Sequence, residues 1–153
     1  MKKTLFLLFF ILFSACTNEN IVFEQNAAIE GAAWHYDDKK SFTFEINDLE
    51  QKYRLLIYLR HTKDYPNENI WLNSLTTFPS GESVPDEIEL SLAAKDGSWL
   101  GNGSGRVITR ELILRNTFRF TETGQYEILL SQFMRRNPLD HILDVGLRLE
   151  KMN

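Results

Sequence analysis

The sequence predicts an all-β fold, an antiparallel β-sandwich of the jelly-roll or immunoglobulin-like kind with eight to nine strands. Three observations predict it. Past residue 20, apolar side chains recur at every second position, which buries one face of a strand. Turn-forming residues separate these runs at strand-length intervals. No window of about a dozen residues sustains the 3.6-residue apolar period of an amphipathic helix.

Taken in order, Phe42, Phe44 and Ile46 alternate with Ser41, Thr43 and Glu45, and the chain turns at Asn47-Asp48. Tyr53, Leu55, Ile57 and Leu59 follow, but Leu56 and Tyr58 fill the other face, so the strand over 53–61 belongs in the middle of a sheet. After turns at Pro66-Asn67 and Pro79-Ser80-Gly81, Ile88, Leu90 and Leu92 alternate with Glu87, Glu89 and Ser91. Pro85 heads that strand, where a missing N–H does least harm. Beyond Asp96-Gly97 come Phe118 and Phe120, then Gly124, then Tyr126, Ile128 and Leu130. Asn137-Pro138 precedes the last run, Val145, Leu147 and Leu149. Eleven Phe, five Tyr and three Trp supply core mass for so small a fold.

The N-terminus follows a different rule. Lys2 and Lys3 precede an unbroken apolar run, Leu5 to Phe13, and then Ser14, Ala15 and Cys16. As a helix that run would be about 14 Å long, half a bilayer core, which suits a secretion signal and not a span. Phe13-Ser14-Ala15-Cys16 resembles a bacterial lipobox, so residues 1–15 are expected to be a lipoprotein signal peptide and Cys16 the lipidated residue. Residues 16–27 are expected to form the lipidated N-terminus and tether, and residues 28–153 the sandwich domain. Cys16 is the sole cysteine, so it has no internal disulfide partner. Lipid gives the thiol a purpose, and two or three acyl chains would make the attachment effectively permanent.

The net charge of −4 argues against a nucleic-acid partner, which would call for a basic stripe, and cleavage after residue 15 removes two further lysines. Membrane attachment therefore rests on lipid, not on a polybasic surface. The expected location is the cell envelope, facing the periplasm or the cell surface, with the leaflet open.

Catalytic constellations are not evident. His35, His61 and His141 are far apart and fit no zinc-ligand spacing, and no Ser lies in a GxSxG elbow. Gly101, Gly103 and Gly105 lack the frame and following Lys of a phosphate loop; they read as a tight corner, with Trp99 covering the bare backbone. Asp37-Asp38 and Asp86-Glu87 are adjacent pairs whose side chains diverge on a strand, unlike the carboxylates of a glycosidase. No metal or cofactor is expected. In Asp144-Val145-Gly146-Leu147-Arg148-Leu149-Glu150, one face carries Asp144, Gly146, Arg148 and Glu150. That face suits a cross-strand ion-pair network, and the bare Gly146 leaves room for a neighbouring side chain or a partner's backbone. Arg135 or Arg136 is a candidate to pair with Asp140 or Asp144. Trp71, Trp99, Arg135, Asp144 and Arg148 are the candidate partner or ligand contacts. Because Ile70 and Trp71 alternate, one of them must point away from the core. Tyr36, Tyr58, Trp71 and Trp99 could stack on sugar rings if two or more project from one sheet.

Longer patterns carry a resemblance. They include Trp34-His35 with Asp37-Asp38, Phe42-x-Phe44-Glu45, Leu59-Arg60, Tyr65-Pro66, Asn69 and Phe78-Pro79-x-Gly81. Asp96-Gly97-x-Trp99-Leu100-Gly101-x-Gly103-x-Gly105 follows, then Gly124-x-Tyr126, Gln132-x-Met134-Arg135 and the 144–150 segment. With the cysteine at the lipobox, the chain resembles the gliding-motility lipoprotein GldH family. His141 stands where that pattern has glycine, and Phe133 where it has a small residue. The resemblance implies a membrane-anchored envelope lipoprotein of the gliding machinery, without known enzymatic activity, whose partners are other envelope or motility proteins. The other function the residues leave open is a glycan-binding module of the envelope.

Overall fold

The computed structural model describes residues 20–153, so the expected signal peptide over 1–15 and the expected lipidation site Cys16 lie outside the described residues. Eleven strands run in chain order: β1 (Ile21–Ala28), β2 (Ala33–Trp34), β3 (Lys40–Ile46), β4 (Lys52–Thr62), β5 (Asn69–Thr77), β6 (Ser83–Ser91), β7 (Asn102–Ser104), β8 (Val107–Phe118), β9 (Gly124–Gln132), β10 (Leu139–Asp140) and β11 (Ile142–Met152). One five-stranded sheet has the order β1-β11-β4-β8-β7, a four-stranded sheet the order β3-β9-β5-β6, and β2 pairs with β10 in a short ribbon. All pairings are antiparallel. The fold is the expected β-sandwich, with more strands than expected because β2, β7 and β10 have only two or three residues. A period of two cannot be read from so short a segment.

The domain boundary expected at residue 28 is corrected. Residues 21–28 are strand β1, paired with β11 from Ile21↔Glu150 to Ala28↔Asp144. As an edge strand β1 turns only Phe23 and Ala27 against the core, so it reads as a polar tether.

Between the sheets lies one core, with Trp34, Phe42, Ile57, Leu72, Leu130 and Leu147 wholly buried. At one end the aromatic residues form a cluster of their own. Phe44 stacks on Tyr126 with centroids 5.9 Å apart, while Phe120 meets Tyr126 at 4.7 Å and Tyr53 at 5.2 Å. Strand β4 occupies the centre of the five-stranded sheet. Its outward-facing Leu56 is buried as completely as its core neighbours, which explains the apolar character of both faces.

At His141 the backbone φ is +74°, in the left-handed region that favours glycine. That accounts for glycine in the family pattern there. Histidine is among the side chains that tolerate this region, and His141 is tied on both sides: its N–H donates to the Ala32 carbonyl at 2.8 Å and its own carbonyl accepts from Thr62 at 3.0 Å.

Candidate functional sites on the two sheet faces

The outer face of the five-stranded sheet is a charge network. In register across β1, β11, β4 and β8 lie Glu24, Arg148, Leu56 and Ile113, then Asn26, Gly146, Tyr58 and Glu111, then Ala28, Asp144, Arg60 and Thr109. Arg148 Nε lies 2.7 Å from Glu150 Oε1, its Nη2 3.3 Å from Glu111 and its Nη1 3.8 Å from Glu24. Its guanidinium also sits 4.8 Å over the Tyr58 ring, a cation–π contact. The other carboxylate oxygen of Glu150 takes Arg54 at 2.5 Å. Asp144 pairs with Arg60 at 2.9 Å, and not with Arg135 or Arg136. Burial raises the Asp144 pKa, and the Arg60 guanidinium draws it back down. Burial likewise raises the Tyr58 phenol, with Arg148 opposing and Glu111 adding to the rise.

Gly146 does provide a gap, and the chain fills it itself. A Cβ there would stand 1.9 Å from Asn26 Oδ1 and 2.8 Å from the Gln25 carbonyl. The Asp144 and Arg148 side chains, candidates for partner contact, are thus engaged within the fold.

Trp99 lies just before the glycine corner. It is partly buried against the core and meets the His61 ring edge-on at 4.7 Å. At the corner Gly101 has φ +113° and the Thr109 carbonyl 2.3 Å from where its Cβ would be, so the backbone approaches too closely for any side chain. His61 is wholly buried; its Nδ1–H donates to the Thr62 carbonyl at 2.9 Å and its Nε2 has no partner among the described residues. Burial holds its pKa below the usual 6.5.

The outer face of the four-stranded sheet is built differently. Ile70 is buried and Trp71, beside it on β5, is 36% exposed. The segment after β9 folds over this face and is pinned from below by the buried Gln132. Its amide nitrogen donates to the carbonyls of Trp34 (3.3 Å) and Arg136 (3.1 Å), and its amide oxygen accepts from Met134 N at 2.8 Å. Phe133 N donates to the Trp71 carbonyl at 2.8 Å and Trp71 N to the Met134 sulfur at 3.2 Å. From the other side the Tyr36 hydroxyl donates to the Met134 carbonyl at 2.5 Å, while Tyr36 N donates to Asn137 Oδ1 at 3.0 Å. Three aromatic rings from distant parts of the chain are thereby held on one face, with Tyr36 42% and Phe133 50% exposed.

Two grooves flank Phe133 and Met134. One, of about 890 Å³, runs past Tyr36, Asn73, Leu75, Glu87 and Ser131. The other, of about 830 Å³, runs past Trp71, Glu87 and Arg135. Of the candidate residues, Trp71 and Arg135 meet here; Asp144 and Arg148 are on the opposite sheet, and Trp99 lies inside. Glu87 and Met134, which both grooves share, stand out in the sequence only as half of an adjacent carboxylate pair and as part of the family pattern, neither of which points to a groove. Among the described residues no cluster of three or more His, Cys, Asp or Glu is arranged to hold a metal, and no helix is long and apolar enough to cross a membrane.

Fold and surfaces define a β-sandwich that offers one sheet face as an internally paired charge network and the other as an aromatic groove. The family model described as GldH lipoprotein matches residues 21–149. A protein of Christiangramia forsetii named gliding motility lipoprotein GldH homolog is 32% identical over 154 aligned positions, covering 96% of this chain and 93% of that one. The gliding motility lipoprotein GldH of Flavobacterium johnsoniae is 30% identical, over 92% of this chain and 91% of its own. The chain belongs to the GldH lipoprotein family, and is by family a motility-associated lipoprotein of the envelope. Among solved structures, a carbohydrate-binding module specific for non-crystalline cellulose superposes with a TM-score of 0.44 and 10% identity, over 85% of this chain and 74% of that one, a likeness too weak to bear on ligands.

Proposed function

We propose that the chain is a lipid-anchored, non-catalytic envelope protein that serves as an assembly or scaffold component of the gliding machinery. The observation that carries this reading is the family match over nearly the whole described chain, to relatives named for motility and not for a reaction. The chemistry agrees with it. His61 is sealed in the core as a neutral ring, and Asp144, Glu150 and Arg148 are spent on holding strands together.

Lipid on Cys16 would act through a short strap. Only residues 17–20 separate it from β1, a reach of about 17 Å when extended. A sandwich on such a strap works against the bilayer surface, where a scaffold is useful and a long-range capture domain is not. Metabolic labelling with a palmitate analogue tests the anchor: wild type labels, and a Cys16→Ser protein that labels equally well rejects it. Mild crosslinking in the native envelope tests the role. Recovery of a motility or secretion component supports a scaffold, and recovery of lipid alone counts against it.

A second reading, a glycan-binding module, is favoured by one observation: Tyr36, Trp71 and Phe133 share a face, with amide and carboxylate groups between them. Sugar rings present apolar C–H faces to aromatic rings and hydroxyls to such groups. Tyr58 and Trp99, the other expected stacking residues, do not contribute, since they belong to the other sheet and the core. A glycan array should show binding that Trp71→Ala abolishes; silence across peptidoglycan and common polysaccharides would leave the scaffold alone.

A further inference from the structure

The two long sides of the sandwich are closed unequally. On one side β1 and β3 approach, and the rings of Phe23 and Phe44 seal the gap with centroids 5.4 Å apart. On the other side lie β6, the last strand of its sheet, and β8, whose outer edge is covered by β7 only opposite Val107 to Thr109. Between them a cleft of about 740 Å³ opens into the space between the sheets. Arg110 Nε ties one end shut by donating to the Ser91 carbonyl at 3.2 Å.

Core-facing side chains stay partly wet along this cleft. Ile88, Leu112 and Leu114 are only partly buried, and Val84, on the core face of β6, is 43% exposed. Apolar surface of this kind is favourable to cover, at roughly 25 cal/mol per Å². Beside it runs the outer edge of β6, to which no strand is paired. Pro85 has no N–H there, the Glu87 N–H donates to Asp86 Oδ1 and the Ser91 carbonyl is taken by Arg110, and the remaining edge-facing backbone groups of Ser83–Ser91 are open to a partner. The partly open edge and the trough, apolar along β6 except at Asp86, together match an extended strand. Its backbone would continue the four-stranded sheet, and every second side chain would drop into the cleft.

Charge selects among possible strands. Glu87 and Glu89 face outward along β6, and neither is in an ion pair among the described residues. An incoming strand would set its outward side chains beside them, where lysine or arginine is favoured. The β6 edge of a second copy would bring the same carboxylates together and is disfavoured for the same reason. We infer that the β6 edge and the adjoining inter-sheet cleft form a docking site for an extended segment of a partner protein, apolar at alternate positions and basic at those between. This goes beyond the scaffold reading and does not depend on the lipid anchor.

A short fluorescein-labelled peptide alternating Lys with Val tests it on the full-length protein. The peptide should bind, protect the β6 amides from hydrogen exchange, and lose affinity by about tenfold in an E87K/E89K variant. Both positions are exposed, so that variant keeps its fold. Val84→Asp, at the open mouth of the cleft, should weaken binding as well. A peptide of the same composition with Lys and Val in separate blocks should not bind. Equal binding of the block peptide, protection elsewhere than β6, or indifference to E87K/E89K would overturn the proposal. So would uptake of a fluorescent fatty acid that the alternating peptide cannot displace, since the cleft would then belong to an acyl chain.

Discussion

His61 shows how one buried side chain makes stability depend on pH. Its ring is enclosed by Trp99 and Tyr65, and burial depresses its pKa below 6.5 despite the carbonyl of Thr62. In the unfolded chain the ring takes up a proton near pH 6.5, whereas the folded ring resists until the pH is lower. Below about pH 6.5 unfolding therefore takes up a proton, and stability falls as the pH falls. The urea midpoint should drop between pH 7.5 and 5.5, and His61→Phe should flatten that slope; an unchanged slope in the variant would assign the effect to other groups. Arg148 is the corresponding residue on the outer face, since a single guanidinium serves Glu150, Glu111, Glu24 and the Tyr58 ring. Lysine could not replace it, having a point charge where a planar fork is used.

Among the elements, β11 and β1 interlock at a glycine. Gly146 on β11 receives the Asn26 side chain from β1, with 1.9 Å between a notional Cβ and Asn26 Oδ1. Gly146→Ala must push the edge strand away and should cost about 1–3 kcal/mol. Asn26→Ala removes the nearer obstacle but leaves the Gln25 carbonyl at 2.8 Å, so the double variant should recover part of the loss. Urea unfolding of the four proteins in the cycle should give a coupling of at least about 0.5 kcal/mol. A Gly146→Ala protein as stable as wild type would mean that β1 is held loosely. The same interlock explains why a segment that reads as tether is part of the sheet: its partner is β11, more than a hundred residues later.

At the scale of the whole molecule, both sheets share a single core cluster. We expect residues 20–153 to unfold as one unit. The fluorescence of Trp34, Trp71 and Trp99 and the far-ultraviolet strand signal should trace one denaturation curve; two separated transitions would divide the sandwich.

Much of this protein was legible in one dimension. Period-two runs identified β3, β4, β9 and β11 and the faces they bury, because strand alternation depends only on neighbouring residues. Ile70 and Trp71 were assigned to opposite faces on the same ground, and the doubly apolar run over 53–61 marked the centre of a sheet. Patterns along the chain also carried the family. Tertiary structure alone decided which strands lie side by side, that Asp144 meets Arg60 and not Arg135, and that Trp99 turns inward onto His61. It alone brought Tyr36, Trp71 and Phe133 onto one face and left the β6–β8 side open. The reason is physical: alternation is a local property of the backbone, whereas register and sheet order are selected by contacts between residues far apart in the chain, which no local pattern encodes.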